Sequence, residues 1–137
     1  MKLTVDTNIL VSATFWNGAS DKIIEKAEKK EVNLVLSKNI MDEFVKVLNY
    51  PEIQQKIKNK NLEMNRTVEK ITAIASFVEP KVKLQIVKDD PNDDMILECA
   101  KEGRADYIVS NDKHLLKIKE FEGIKILKPE EFLKLID

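Results

Sequence analysis

Leu3-Thr4-Val5-Asp6-Thr7-Asn8-Ile9-Leu10 is a short apolar strand that breaks at an acid, with a helix-starting threonine behind it and apolar residues resuming at Ile9. An aspartate there stands at the carboxyl end of a strand. In open parallel sheets that edge carries the ligand crevice, because loops leave the strand ends there and helix N-termini point into it. Asp6 is therefore the first candidate ligand.

The pattern repeats outward from this stretch. Ile9 to Phe15 continues as a short helix broken at Asn17-Gly18, and Ser20 is placed to cap a second helix carrying Ile23, Ile24 and Ala27. Val32 to Leu36 is a second strand, and Ser37 caps a helix with Ile40, Phe44, Val47 and Leu48 on its apolar arc, ending before Pro51. From Pro51 to Phe77 the text is helical and lysine-rich, a hairpin turning at Asn59 to Asn61. A third strand is expected at Leu84-Gln85-Ile86-Val87, then a helix from Pro91 to Glu102 ending at Gly103, and a fourth strand at Tyr107-Ile108-Val109. A short helix from Lys113 to Ile118 leads to a fifth strand at Ile124 to Leu127, and Pro129 opens a terminal helix with Phe132, Leu133 and Ile136. Nearly continuous apolar strands alternating with helices indicate a parallel sheet covered on both faces. The expected fold is α/β: a three-layer α/β/α sandwich around a central, mostly parallel five-stranded sheet, formed by residues 1–137 as a single domain.

Composition narrows the partners. The chain has 137 residues, enough for one core without a staple. Lys and Arg number 23 against 24 Asp and Glu, for a net charge of -1, so there is no global basic field and a polyanion site must be local or metal-assisted. The single Cys99 excludes an internal disulfide and falls in an apolar helical pattern, as a small core residue would. No apolar run approaches the ~20 residues that span a bilayer and no signal core opens the chain, so a cytoplasmic location is expected.

The acids are what the fold concentrates. Besides Asp6, Ser110-Asn111-Asp112 follows the fourth strand, and Asp89-Asp90-Pro91-Asn92-Asp93-Asp94 surrounds a helix start. Each is readable as a helix cap: Asp90 as N-cap with Pro91 at N1 and Asp93 at N3, and Asp112 or Thr7 in the same role elsewhere. Together they exceed what capping needs and would repel one another without a cation. Glu43 lies in mid-helix, where no cap is called for, three residues after Ile40 and four before Val47, on the border of the apolar face. Its bland alternative is an ion pair with a neighbouring lysine such as Lys46. Carboxylates from four elements with no neighbouring His or Cys form an oxygen-only set, which selects Mg²⁺ or Mn²⁺ over zinc. Such cations commonly serve phosphates, acidifying a water and neutralising charge on a phosphodiester. If two ions sit ~3.5–4 Å apart, Asp6 is the candidate bridge.

These residues resemble those of the PIN-domain family, metal-dependent ribonucleases that include the VapC-type toxins of toxin–antitoxin pairs. Val5-Asp6-Thr7-Asn8-Ile9-Leu10 resembles the family's opening motif, and Glu43 falls in the helix after the second strand as its glutamate does. Asp90-Pro91-Asn92-Asp93-Asp94 with Ile96, Leu97 and Ala100 resembles the third motif, and Val109-Ser110-Asn111-Asp112-Lys113-His114-Leu115-Leu116 the fourth. The likeness runs through Ile126 to Leu133. It implies that Asp6, Glu43, Asp93 and Asp112 are catalytic metal ligands for Mg²⁺ or Mn²⁺. It further implies that Thr7, Asn8, Asp90, Asp94, Ser110 and Asn111 stand behind them, orienting ligands or waters. Ser110 replaces the threonine of close relatives and keeps the hydroxyl; of the adjacent Asp93 and Asp94, Asp93 is taken as the ligand. The implied activity is endonucleolytic cleavage of RNA to a 5′-phosphate and a 3′-hydroxyl, by a homodimer that binds an antitoxin protein.

Other classes compete. Phosphatases that work through an aspartyl phosphate want a second acid two residues after the first, where this chain has Asn8; a P-loop is absent; and histidine-based nuclease chemistry has only His114, taken as a polar surface residue. A non-catalytic RNA- or partner-binding module on the same fold stays open. Five Lys or Arg outnumber two Glu between Lys56 and Lys70, and Phe15 with Trp16 could stack a base or a partner residue. An RNA-processing nuclease that is not a toxin would look the same.

Overall fold

The structure is a computed structural model that describes residues 1–15, 18–59, 64–84, 86 and 91–137. In chain order its elements are β1 (Lys2–Val5), α1 (Thr7–Phe15), α2 (Ala19–Glu28), β2 (Asn33–Ser37), α3 (Lys38–Leu48), α4 (Pro51–Asn59) and α5 (Met64–Ile74). There follow β3 (Ala75–Val78), α6 (Pro91–Glu102), β4 (Tyr107–Val109), α7 (Lys113–Ile118), β5 (Glu120–Phe121), β6 (Ile124–Leu127) and α8 (Pro129–Ile136). The strands form one six-stranded sheet in the order β3-β2-β1-β4-β6-β5, parallel except for β5. Helices flank it in the expected α/β/α layering.

The middle of the sheet is dry. Leu3, Val5, Leu34, Leu36, Ile108 and Val109 are all buried, as strands covered on both faces must be. At ~1.5–3 kcal/mol for each large aliphatic side chain removed from water, these strands anchor the fold. Helix α6 packs on β1, β2 and β4, while α3 packs on β2 and α1. Cys99 is buried beside Thr4 and the Val35 carbonyl, and burial pushes its thiol up to about 11, so it is a core residue without thiolate chemistry.

Four expectations need correction. The third strand is Ala75–Val78, on β2, and the helix before it stops at Ile74 instead of running to Phe77. Leu84 and Ile86 lie in no strand, and Gln85 and Val87 fall outside the described residues, as does most of the predicted Asn59–Asn61 turn. Among the described residues the sheet has six strands, not five, because Glu120–Phe121 pairs antiparallel with β6 through a turn at Glu122 (φ 47°) and Gly123 (φ 84°). Two positive φ values at a two-residue hairpin turn match the strand twist, and glycine takes the second at no steric cost. Ser20 does not cap α2: Gly18 holds the N-cap position, and Ser20 is buried one residue inside the helix. Gly103 follows α6 as expected and is a glycine for a steric reason, since a Cβ there would stand 2.4 Å from Val35 Cγ1; the left-handed residue is Arg104 (φ 52°).

Candidate functional site

β1 is where the strand order reverses, with β2 on one side and β4 on the other. Crevices form outside the carboxyl ends of strands at such a point. The parallel register sets Val5 opposite Val109, which brings Asp6 beside Ser110. The Asp6 N–H donates to the Val109 carbonyl at 3.2 Å, extending the ladder by one residue. The Ser110 hydroxyl donates to Asp6 Oδ2, and the Ile9 N–H donates to Asp6 Oδ1 at 3.0 Å. Asp6 thus caps the first turn of α1 itself, a task the sequence reading gave to Thr7.

Ser110 also ties in the next acid. Its Oγ accepts the Asp112 N–H at 2.9 Å, so one hydroxyl joins both carboxylate-bearing loops. Asp112 is the N-cap of α7, with Oδ1 accepting from His114 N–H at 2.8 Å and Leu115 N–H at 3.2 Å. The capping reading is therefore correct for Asp112, and it fixes that carboxylate in place. From α3, whose start is capped by Ser37 through Ile40 N–H at 3.3 Å, the half-buried Glu43 faces the same space. Asp93, buried in the first turn of α6, supplies the fourth acid.

These four carboxylates share one cavity of about 100 Å³, lined by Asp6, Thr7, Asn8, Glu43, Val47, Asn92, Asp93, Ile96 and Asp112. All four acids predicted as ligands meet there, with Thr7 and Asn8. Asp94 does not line it: its Oδ1 accepts the Ile86 N–H at 3.1 Å, holding the segment before α6. Asn111 is exposed and takes no part in the lining, and Asp90 lies outside the described residues. Sequence reasoning passed over two residues. Asn92 lines the cavity, and His114 Nδ1 stands 3.7 Å from Asp93 Oδ2 and 3.8 Å from Asp112 Oδ1. The expectation of a site with no neighbouring histidine is thereby overturned. Position Asp112 plus two was the available signal, but contact with Asp93 depends on how α6 and α7 meet.

Electrostatics set the site apart from a group of caps. Asp6 is buried, and this desolvation lifts its pKa from 3.8 to about 6 against the Ser110 and Ile9 hydrogen bonds; the Asp112 charge lifts it further. Among the described residues no lysine or arginine lines the cavity. Four carboxylates, two carboxamides and an adjacent imidazole make an oxygen-rich donor set that fits a divalent cation, and a cation relieves the repulsion the acids otherwise carry.

A PIN-domain family model matches residues 2–114 of the chain. No curated protein matches it. Among solved structures, a chain in the crystal structure of VapBC2 from Rickettsia felis bound to a DNA fragment from their promoter is similar, with a TM-score of 0.62 and 16% identity. The likeness covers 92% of this chain and 97% of that one. At this identity the likeness speaks for the fold.

Proposed function

We propose, from the premise that this chain belongs to the PIN-domain family, that it is a metal-dependent endoribonuclease and the toxin half of a toxin–antitoxin pair. The observation that carries this reading is the meeting of Asp6, Glu43, Asp93 and Asp112, from four separate elements, in one cavity at the carboxyl ends of the central strands. A binding module has no use for four converging acids whose repulsion only a cation offsets.

Asp6, Glu43, Asp93 and Asp112 would hold Mg²⁺ or Mn²⁺, which supplies the charge that acidifies a water and offsets negative charge growing on the phosphodiester. Ser110 keeps the Asp6 carboxylate turned toward the site and, through the Asp112 N–H, keeps the two acid loops in register. The two helix caps do the same for Asp6 and Asp112, so neither carboxylate is free to rotate away. Asn8 and Asn92 offer amide N–H groups at the cavity wall, suited to phosphate oxygens. Water adds to phosphorus and the bond to the 3′-oxygen breaks, leaving a 5′-phosphate and a 3′-hydroxyl.

The toxin assignment is carried over from the VapBC2 complex, one of whose chains shares this fold. An antitoxin protein and a second copy of the chain are the partners that this reading carries over. Among the described residues no helix is long and apolar enough to cross a membrane. A cytoplasmic location is part of the same proposal. Incubating a mixed RNA pool with the protein in Mn²⁺, in EDTA, and with Asp6→Asn in Mn²⁺ tests the proposal. Cutting in the first reaction alone is expected. Cutting in EDTA, or by the variant at the wild-type rate, refutes it.

A further inference from the structure

The His114 imidazole has no role in the mechanism above, yet it stands beside two of the acids. It sits in the first turn of α7, two residues after Asp112, with Nδ1 3.7 Å from Asp93 Oδ2 and 3.8 Å from Asp112 Oδ1. Both separations exceed the ~2.7–3.2 Å of an N–H···O hydrogen bond. Asp93, Asp112 and His114 each offer a ligand atom, and all of these atoms lie within 4.8 Å of one another. Donors on one cation through bonds of about 2.1 Å lie about 3 Å apart when adjacent in an octahedron and about 4.2 Å apart when opposite. The observed spacing is that of a set which closes on a shared ion with small side-chain shifts.

Exposure is graded across the three side chains, at 8% for Asp93, 24% for Asp112 and 56% for His114. The imidazole therefore stands at the rim, where a rotamer change meets no core packing. Asp112 is clamped by its capping bonds, so His114 is the member able to adjust.

We propose that His114 supplies a nitrogen ligand to the cation at the rim of this site, biasing the protein toward Mn²⁺ and Co²⁺ over Mg²⁺. The inference rests on the metal-site reading above. Mg²⁺ demands near-ideal oxygen octahedra and gives up water reluctantly, so an imidazole adds little to its binding. Affinity for mixed nitrogen and oxygen sites rises from Mn²⁺ to Co²⁺, and imidazole suits the later metals better than carboxylate alone does.

The test uses the full chain as wild type, His114→Gln and Asp6→Asn. Pulsed electron paramagnetic resonance on the Mn²⁺-loaded protein reads a directly bound nitrogen, and calorimetry reads affinity for Mn²⁺, Co²⁺ and Mg²⁺. The expected result is a nitrogen coupling in the wild type that His114→Gln abolishes. With it, Co²⁺ affinity falls by about 10- to 100-fold, while Mg²⁺ affinity changes by less than about threefold. Unfolding in EDTA stays at the wild-type temperature, because the side chain is exposed. Mn²⁺ binding that requires Asp6 but shows no nitrogen coupling overturns the His114 proposal and leaves the carboxylate site standing. Absence of Mn²⁺ binding by the wild type overturns both.

Discussion

Replacing Asp6 by Asn should stabilise the metal-free protein while destroying its activity. The buried Asp6 carboxyl has its pKa raised from 3.8 to about 6, so the fold holds this proton more tightly than the unfolded chain does. Below pH 3.8 the residue is protonated in both states and costs nothing. As pH rises through this window the unfolded chain releases its proton first, and stability falls. Above pH about 6 the full penalty is present, about 3 kcal/mol at 1.36 kcal/mol per pH unit. An Asn side chain is uncharged and keeps an acceptor for the Ile9 N–H, but it leaves the Ser110 hydroxyl to find another acceptor, costing about 1 kcal/mol. The net gain is about 2 kcal/mol at neutral pH, which for 137 residues corresponds to about 7 °C in Tm. Thermal melts in EDTA at pH 7.5 and pH 4 should show Asp6→Asn ahead of wild type at the first pH and level with it at the second. Adding Mn²⁺ at pH 7.5 should reverse the order, because only a chain that binds the ion gains stability from it. A variant no more stable than wild type at pH 7.5, or equally advantaged at pH 4, would refute the claim that burying this charge strains the empty site.

Three further substitutions separate scaffold from chemistry. Ser110→Ala removes the hydroxyl donor to buried Asp6 and the acceptor of the Asp112 N–H; it should lower stability at pH 7.5 by about 2 kcal/mol and weaken Mn²⁺ binding by about 10- to 100-fold, both read by denaturation and calorimetry. Asp112→Asn keeps an acceptor for α7 while Asp112→Ala does not, so both should lose metal binding but only the alanine variant should lose about 1 kcal/mol of fold stability. Gly103→Ala drives a methyl to within 2.4 Å of buried Val35 Cγ1, and urea unfolding should show a loss of about 1–3 kcal/mol, with most of it restored by adding Val35→Ala. A Gly103→Ala protein as stable as wild type would mean that α6 is free to shift away from β2.

The parts of this fold that announce themselves in the sequence are those that are buried on both sides. β1, β2 and β4 are apolar runs bounded by caps, β6 alternates with only Lys125 exposed, and Ser37 and Pro129 mark their helices from local chemistry alone. β3 escaped because it is an edge strand with Ser76 and Phe77 exposed, so Ala75–Val78 carries no continuous apolar signal and reads as one more turn of α5. Nearby, Leu84-Gln85-Ile86-Val87 has the alternation that β3 lacks. β5 spans two residues, too few for any period, and its trace was the glycine of the Glu122-Gly123 turn. The four acids were identifiable because each follows a strand end, opens a helix or borders an apolar face. Their shared cavity was not, nor was the Ser110 bond to Asp6, which depends on β1 and β4 pairing across 104 residues of chain. His114 is exposed, as the sequence suggests, but its place beside Asp93 was not legible for the same reason: that acid is on α6.

The most direct test of the whole account is the rate of RNA cleavage in Mn²⁺ by wild type beside Asp6→Asn, Glu43→Gln, Asp93→Asn and Asp112→Asn, each first shown to be folded. Cleavage by the wild type, abolished by EDTA and reduced at least about 100-fold in every variant, is the predicted result. A wild type that cuts without metal, or any one of the four variants cutting at the wild-type rate, contradicts it.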